Sequence, residues 1–171
     1  MLAPKVAPRL SRYPASPRKA VELSRFGDCI SHIDEIPPFE YEQPTEFGGR
    51  GTRIGISRAT GGARLELDIT IVAPGDRLSF AHWHSASEEV FYVMKGTPTV
   101  VIDGEEHQLR AGSVLTRPAG SGIPHHFENN GSEDAWIMGA NNVPESDEVD
   151  EVFRPEIGLA YNTRTGQERA M

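Results

Sequence analysis

The sequence predicts an all-β fold in a single domain of 171 residues. Three observations predict it: apolar and polar residues alternate over short segments, Gly- and Pro-rich turns separate these segments at regular spacing, and no long amphipathic helix pattern occurs. Short strands at such spacing are typical of a β-sandwich or a closed barrel. A chain of this length buries roughly 70% of its unfolded surface, so its core needs no disulfide or structural metal.

The first clear strand covers residues 65–71, where Leu and Ile alternate with Glu, Asp and Thr. An Ala-Pro-Gly-Asp turn at 73–76 ends it because Pro and Gly supply turn geometry that a sheet ladder does not accept. A second strand is predicted at 78–84. A third is predicted at 89–94, and it ends at Gly96.

A hairpin follows, in which a strand at 99–102 and its return strand at 106–109 flank Asp103 and Gly104. Asp-Gly is favoured in tight hairpins because both turn residues tolerate positive φ. Upstream, residues 47–53 are interpreted as a flexible loop, since they lack the spacing of a phosphate-binding loop. A short helix, or none at all, is predicted at 31–36. Further short strands are predicted at 113–117, 125–128 and 135–140.

Composition excludes several classes of function. The net charge of −8 argues against a general nucleic-acid binder, which needs clustered Lys and Arg. No apolar run approaches the roughly 18 residues of a membrane span. Cys29 is the single cysteine, so no internal disulfide forms and we expect a soluble protein of the reducing cytoplasm.

One constellation predicts metal chemistry. His82 and His84 lie two residues apart in a predicted strand, so both side chains point to one face while Trp83 points to the other. Glu89 starts the next strand, within reach of the same interior point, and His125 starts a later one. Three imidazoles and one carboxylate suit one divalent transition metal, with Fe, Mn, Co, Ni, Cu and Zn all left open. Each histidine taken singly would be an ordinary hydrogen-bonded residue, so the combination carries the interpretation.

Two stretches with this constellation resemble the two motifs of the cupin superfamily. The first, at 75–96, contains in order Gly75, His82, His84, Glu89 and Gly96; the second, at 112–129, contains in order Gly112, Pro118, Gly120, His125 and Asn129. Fifteen residues separate the two motifs, similar to compact microbial cupins. The resemblance covers residues 50–145 when the flanking strands are included.

Two spacings depart from the family pattern. Six residues rather than five separate Gly75 from His82, an excess that a β-bulge absorbs. Four rather than two precede His125 after the motif glycine, which leaves His125 and His126 as alternatives. We favour His125 because it lies three residues before Asn129, and we expect His126 to point outward. Glu88 competes likewise with Glu89, but only Glu89 fits both family spacings.

The resemblance implies a double-stranded β-helix, or jelly roll, with an extended N-terminal arm. We divide the chain into a Pro-rich basic arm with a lead-in segment (1–45), a cupin barrel (46–145), and a solvated acidic loop with a C-terminal tail (146–171). The arm either embraces a partner subunit or is simply a mobile terminus. Small cupins of this kind usually pair, so a homodimer is expected.

The resemblance also implies a metal-dependent enzyme for a small organic molecule, of dioxygenase or other oxidoreductase type. Its ligands would be His82, His84, Glu89 and His125, with Glu89 also catalytic as a proton relay. The alternatives are a non-oxidative isomerase, epimerase or lyase for a sugar or small acid, and a sensing module without catalysis. Phe91 is predicted either to wall the pocket or to belong to the core. Trp136 and Met138 are assigned to substrate binding at the cavity mouth, with a dimer contact as their alternative.

Overall fold

The chain folds almost entirely into β-strands, as the computed structural model of residues 29–43, 49–145 and 147–171 describes it. This part also contains one α-helix, α1 Ile56–Thr60, and two 3₁₀ helices, Ile33–Glu35 before the first strand and Pro155–Ile157 between two later ones. The strands are β1 Phe39–Glu42, β2 Arg50–Gly55, β3 Leu65–Val72, β4 Trp83–His84, β5 Glu89–Lys95, β6 Thr99–Ile102, β7 Glu105–Gln108, β8 Val114–Arg117, β9 His125–Glu128, β10 Ala135–Asn142, β11 Glu151–Arg154, β12 Leu159–Asn162 and β13 Glu168–Ala170. The predicted all-β class is confirmed.

The strands form a jelly roll with two walls. One wall is a six-stranded antiparallel sheet in the order β1-β2-β3-β10-β5-β8. The other combines a three-stranded sheet, β7-β6-β9, with a four-stranded sheet, β13-β12-β11-β4. A backbone bridge joins these two sheets, because the N–H groups of His82 and His125 each donate to the other's carbonyl, at 3.0 and 2.9 Å. The bridge brings two of the motif histidines side by side.

An apolar core fills the space between the walls. Val72 and Ile137 of the six-stranded sheet pack with Val100 and Phe127 of the three-stranded sheet, and Leu78 completes the cluster. Phe127 follows His125 by two residues on the same strand, so both side chains point to the interior. The core therefore continues directly into the histidine site.

A second apolar cluster lies on the outer face of the six-stranded sheet. Ile54 and Ile69 pack there against Ile36, which follows the Ile33–Glu35 helix. Strand β3 is therefore buried on both faces over its second half, since Thr70 and Val72 on the inner face are also buried. Further along the outer face, on β5 and β8, four apolar side chains remain exposed: Val90, Tyr92, Met94 and Val114.

Several predicted elements are confirmed closely. The hairpin turn has positive φ at both Asp103, 51°, and Gly104, 82°. Gly96 also has positive φ, 83°, and a Cβ there would lie 2.9 Å from the Cα of Ala135, so a side chain has no room. On β5, Val93 faces the interior and Tyr92 faces outward, as alternation predicts.

Other expectations need correction. The predicted strand at 78–84 is regular only at β4, with isolated bridges at Arg77 and His82, so the extra motif residue lies in irregular backbone rather than in a bulge. The flexible loop at 47–53 is strand β2 from residue 50 onward, and β2 pairs with β1 and β3. The tail beyond 146 supplies β11, β12 and β13. The basic arm and residues 47 and 48 lie outside the described residues.

Candidate metal centre

The irregular segment before β4 and β4 itself carry His82 and His84. His84 pairs with Val152 of β11, which fixes the strand against the C-terminal segment. Between the two histidines, Trp83 points away from the interior and stacks on Phe153 at 3.9 Å between ring centroids, with 4° between the planes. Alternation therefore sends both imidazoles inward, as predicted.

The three histidines surround the carboxylate of Glu89. The Nε2 atoms of His82 and His84 lie 3.9 and 3.6 Å from Oε1 of Glu89, and Nε2 of His125 lies 3.4 Å from Oε2. His82, His84 and Glu89 each offer a ligand atom within 4.8 Å of the other two. His125 stands beside this compact group, with its ring centroid 4.9 Å from that of His82. Four side chains from separate segments thus meet in one hollow.

Outer hydrogen bonds orient two of the imidazoles. Nδ1 of His82 lies 2.8 Å from the carbonyl oxygen of Phe80, which can only accept, so Nδ1 donates. Nδ1 of His84 lies 2.7 Å from Oδ2 of Asp150. With the proton held on Nδ1, the Nε2 lone pair of each ring is directed at the hollow next to Glu89. This tautomer is the one that ligates a metal through Nε2.

Asp150 is a site residue that the sequence did not indicate. The residue is 3% exposed, and Oδ1 accepts hydrogen bonds from the backbone N–H groups of Ala86, at 2.9 Å, and Ser87, at 3.2 Å. The interpretation of the acidic run as a solvated loop is therefore wrong at this residue. These donors, together with His84, compensate for the buried charge. Only the pairing of β11 with β4 brings Asp150 here, and no local pattern predicts that pairing.

At neutral pH, Glu89 and His125 are in the protonation states that bind cations. Burial lowers the pKa of His84, but the hydrogen bond to Asp150 and the charge of Glu89 outweigh it and raise this pKa, so a metal ion at His84 would displace a proton. Burial raises the pKa of Glu89, but the neighbouring His82, together with His84 and His125, outweighs it and lowers this pKa to about 2. Burial lowers the pKa of His125 to about 3, with help from the charges of His82 and Arg117. Glu89 is therefore ionised and His125 neutral, and metal ligation requires both forms.

His125 carries a specific sign of a missing partner. Its side chain is 1% exposed, and neither ring nitrogen has a hydrogen-bond partner among the residues that the structure describes. A buried polar group without a partner is costly, and such groups mark sites of ions or bound water. A cation bound by Nε2 would satisfy one of the two. The donor set of three imidazole nitrogens and one carboxylate fits the predicted divalent transition metal, and its chemistry does not choose among the six candidates.

Phe91 lies beside the centre. Its ring centroid is 5.6 Å from that of His125 and 4.9 Å from that of Phe127, on the same face of β5 as Glu89. It also packs against the inner core, as one of its two predicted roles requires, and its role as a pocket wall stays a prediction.

The structure corrects the placement of Trp136 and Met138. Met138 is the cross-strand partner of Ile69 and Tyr92, and both aromatic and thioether side chains pack on the outer cluster with Ile36. That cluster occupies the sheet face opposite the histidines. Neither residue lines the hollow, because β10 points Ile137 into the barrel and its neighbours out of it.

The two competing residues lie away from the centre. His126 places Nε2 2.8 Å from Oε1 of Glu128, a contact outside the histidine group. It is nevertheless only 7% exposed, because the opposite side of β9 is also covered, in the neighbourhood of Arg77 and Glu156. Glu88 is exposed. The family spacings thus selected His125 over His126 and Glu89 over Glu88, and the two selected residues are those that converge.

Polar residues also line the inner face of the six-stranded sheet next to the centre. Glu89 on β5 has Arg117 on β8 and Asn141 on β10 as its cross-strand partners. In the next row, Asp68 lies across Gly139 from Phe91, and a Cβ at Gly139 would lie 3.4 Å from the Phe91 ring and 3.5 Å from Asp68 Oδ1. The alternation in β3 indicated a polar face there, but it did not indicate that this face looks inward.

Comparison with known proteins identifies the family. The model of the Cupin domain matches residues 68–138. Protein SchB of Streptomyces halstedii is 34% identical over 110 residues, which are 64% of this chain and 73% of SchB. The chain belongs to the cupin family. This cupin is also 36% identical to the polyketide synthase CurC of Streptomyces cyaneus over 97 residues, 56% of this chain and 61% of CurC.

A solved structure shares the fold of this cupin. The sugar phosphate isomerase from a cupin superfamily of Silicibacter pomeroyi has a TM-score of 0.71 and 17% identity, and the match covers 83% of this chain and 91% of that one. The Cupin domain match contains all four residues of the histidine and glutamate group. Asp150 of this cupin lies beyond it.

No helix in the described part of the chain combines the length and the apolar character that crossing a membrane requires.

Proposed function

We propose that this cupin is a metal-dependent enzyme acting on a small organic molecule, with a divalent transition metal held by His82, His84, Glu89 and His125. The observation that carries the proposal is the convergence of three Nε2 atoms on one ionised carboxylate in the barrel interior, where the side chains of His82, His84 and Glu89 are 13–14% exposed. The fold does not need a structural metal at this site, because the apolar core stabilises a chain of this length.

These four residues would hold an ion that would supply Lewis-acid polarisation of a substrate oxygen, or electron exchange if it is redox-active. The chain's own residues supply the rest. Asp150 keeps the proton of His84 on Nδ1, and the Phe80 carbonyl does the same for His82. Glu89, with two oxygens facing different histidines, is the group placed to accept a proton from substrate and return it.

The first candidate reaction is oxidative, of dioxygenase or other oxidoreductase type. A second candidate is a non-oxidative isomerase, epimerase or lyase acting on a sugar or small acid, and one protein of the same fold, which is named a sugar phosphate isomerase, supports it. The two candidates share the same residues and differ in whether dioxygen is consumed. A sensing module without catalysis would use the centre for binding alone.

Elemental analysis of gently purified protein tests the proposal. We expect close to one transition-metal ion per chain, and protein that neither retains nor takes up such an ion would contradict it. Oxygen uptake on the same sample, screened with phenols, diketones and organic acids, then separates the candidates. Uptake supports the oxidative reaction, while product formation without uptake supports the second. The control for the metal analysis is His126→Ala, which leaves the proposed ligands in place and should hold as much metal as the wild-type protein.

A further inference from the structure

Arg117 lies next to the centre at the end of β8. It is the cross-strand partner of Glu89, and directly opposed residues of an antiparallel pair have Cβ atoms roughly 5 Å apart on the same face. Its side chain therefore leaves the strand on the inner face, as that of Glu89 does. Its positive charge adds to burial in lowering the pKa of His125, which agrees with this position.

The guanidinium is only partly satisfied. One terminal nitrogen, Nη2, donates to the backbone carbonyl of Ile123 at 2.8 Å. Nε is buried and has no hydrogen-bond partner, and no carboxylate among the described residues forms an ion pair with Arg117. Arginine presents five donors in a planar fork, a geometry that matches a carboxylate. The Arg117 guanidinium, next to the proposed metal centre, thus keeps N–H donors available for a ligand.

Other arginines of the fold differ in this respect. Arg77, which also has a buried Nε, pairs with Glu156 at 2.7 Å, and Arg53 pairs with Asp68 at 3.4 Å. Arg64 pairs with Glu145. Each of these has an acid of the chain itself as partner.

We propose that Arg117 binds a carboxylate of the substrate, and that the substrate of this cupin is a small organic acid. This inference rests on the proposed function, because the acid's other end would be presented to the histidine group. The carboxylate would accept from the Arg117 fork, and its charge would replace the missing partner of the buried Nε. Ile123, whose carbonyl Arg117 holds, places the 120–124 loop at the same edge of the hollow.

Calorimetric titration with malonate tests the inference on Mn²⁺-loaded full-length protein. The variants are Arg117→Gln, Arg117→Lys and, as matched control, Arg110→Gln, which changes an exposed arginine on the turn before β8. We expect malonate to bind the wild-type protein and the control equally, and Arg117→Gln at least roughly tenfold more weakly. Arg117→Lys should be intermediate, since it keeps the charge but loses the fork. Mn²⁺ affinity, measured first, should stay within about twofold in all variants.

The outcomes separate the two proposals. A wild-type protein that binds Mn²⁺ but not malonate overturns the organic-acid inference and leaves the metal centre standing. Malonate binding unchanged in Arg117→Gln also overturns it. If Arg117→Gln loses as much Mn²⁺ affinity as malonate affinity, Arg117 serves to hold the 120–124 loop, and this result would overturn the organic-acid inference as well. Failure of the wild-type protein to bind Mn²⁺ or any other transition metal would overturn both proposals.

Discussion

Oδ2 of Asp150 lies 2.7 Å from Nδ1 of His84, although the two residues are 66 positions apart. The contact exists because β11 pairs with β4, and it is reinforced by two backbone N–H groups that donate to the other carboxylate oxygen. A carboxylate behind a ligating histidine fixes the ring and raises the basicity of its free nitrogen. The C-terminal segment is therefore part of the centre.

Asp150→Asn tests this role. We expect metal affinity to fall by roughly 10- to 100-fold, because the neutral amide supports the His84 imidazole less well. Competition with a chromophoric chelator measures it. Asp147→Asn, which changes an exposed acid of the same run, is the control and should retain wild-type affinity. Equal affinity in Asp150→Asn and the control would contradict the role.

His84→Ala should lose bound metal and keep its fold. His84 is not among the residues of the apolar core, so the strands remain packed when its imidazole is removed. Metal content by elemental analysis and secondary structure by circular dichroism check the two parts. Loss of folding with metal content unchanged would contradict the ligand assignment.

His126→Ala should leave metal content unchanged while lowering the free energy of unfolding by roughly 1–3 kcal/mol, since the variant removes a buried side chain and its contact with Glu128. Chemical denaturation measures the second effect. Metal loss equal to that of His84→Ala would show that His126 serves the centre.

His125 predicts a pH dependence of the metal-free protein. Its pKa is about 3 in the folded state against an ordinary value of 6.5, so below pH 6.5 the unfolded chain takes up a proton that the folded protein refuses. The free energy of unfolding should therefore fall as pH drops from about 6.5 toward 5, by up to ~1.4 kcal/mol per pH unit from this group.

Denaturant unfolding in the presence of a chelator, at several pH values in that window, measures the slope. His125→Gln has no proton to exchange at this position, so its slope should be shallower than that of the wild-type protein. Equal slopes would contradict the assignment of the effect to His125.

The homodimer stays a prediction. Exposed apolar side chains on the outer face of β5 and β8, among them Tyr92 and Val114, which are cross-strand partners, favour a contact with a second copy. Sedimentation should give a dimer at micromolar concentration. A monomer under those conditions would count against the prediction.

The sequence predicted what depends on local periodicity and short spacings. Two-residue alternation placed His82 and His84 on one face, and the interval to Gly96 selected Glu89 over Glu88. The sequence did not predict that Trp136 packs on the outer face of the sheet. Alternation states which residues share a face, but not which of the two faces points inward. In a strand buried on both sides the two faces look alike.

The sequence also did not predict which distant segments pair with one another. Asp150 belongs to a run of acids that looks uniformly solvated, and only the docking of β11 on β4 distinguishes it. The same holds for Asp68, which looks like a surface position in its strand and lies on the inner face across from Phe91. Both residues gain their surroundings from segments far away in the chain.

The stacking of Trp83 on Phe153 provides an optical reporter within the protein. The chain has two tryptophans, and this one sits between two of the proposed ligands while touching the strand that delivers Asp150. Detachment of the C-terminal segment would unstack the indole and alter its emission, so fluorescence of the unlabelled protein follows that event. Replacing Trp136 with Phe would leave Trp83 as the sole tryptophan.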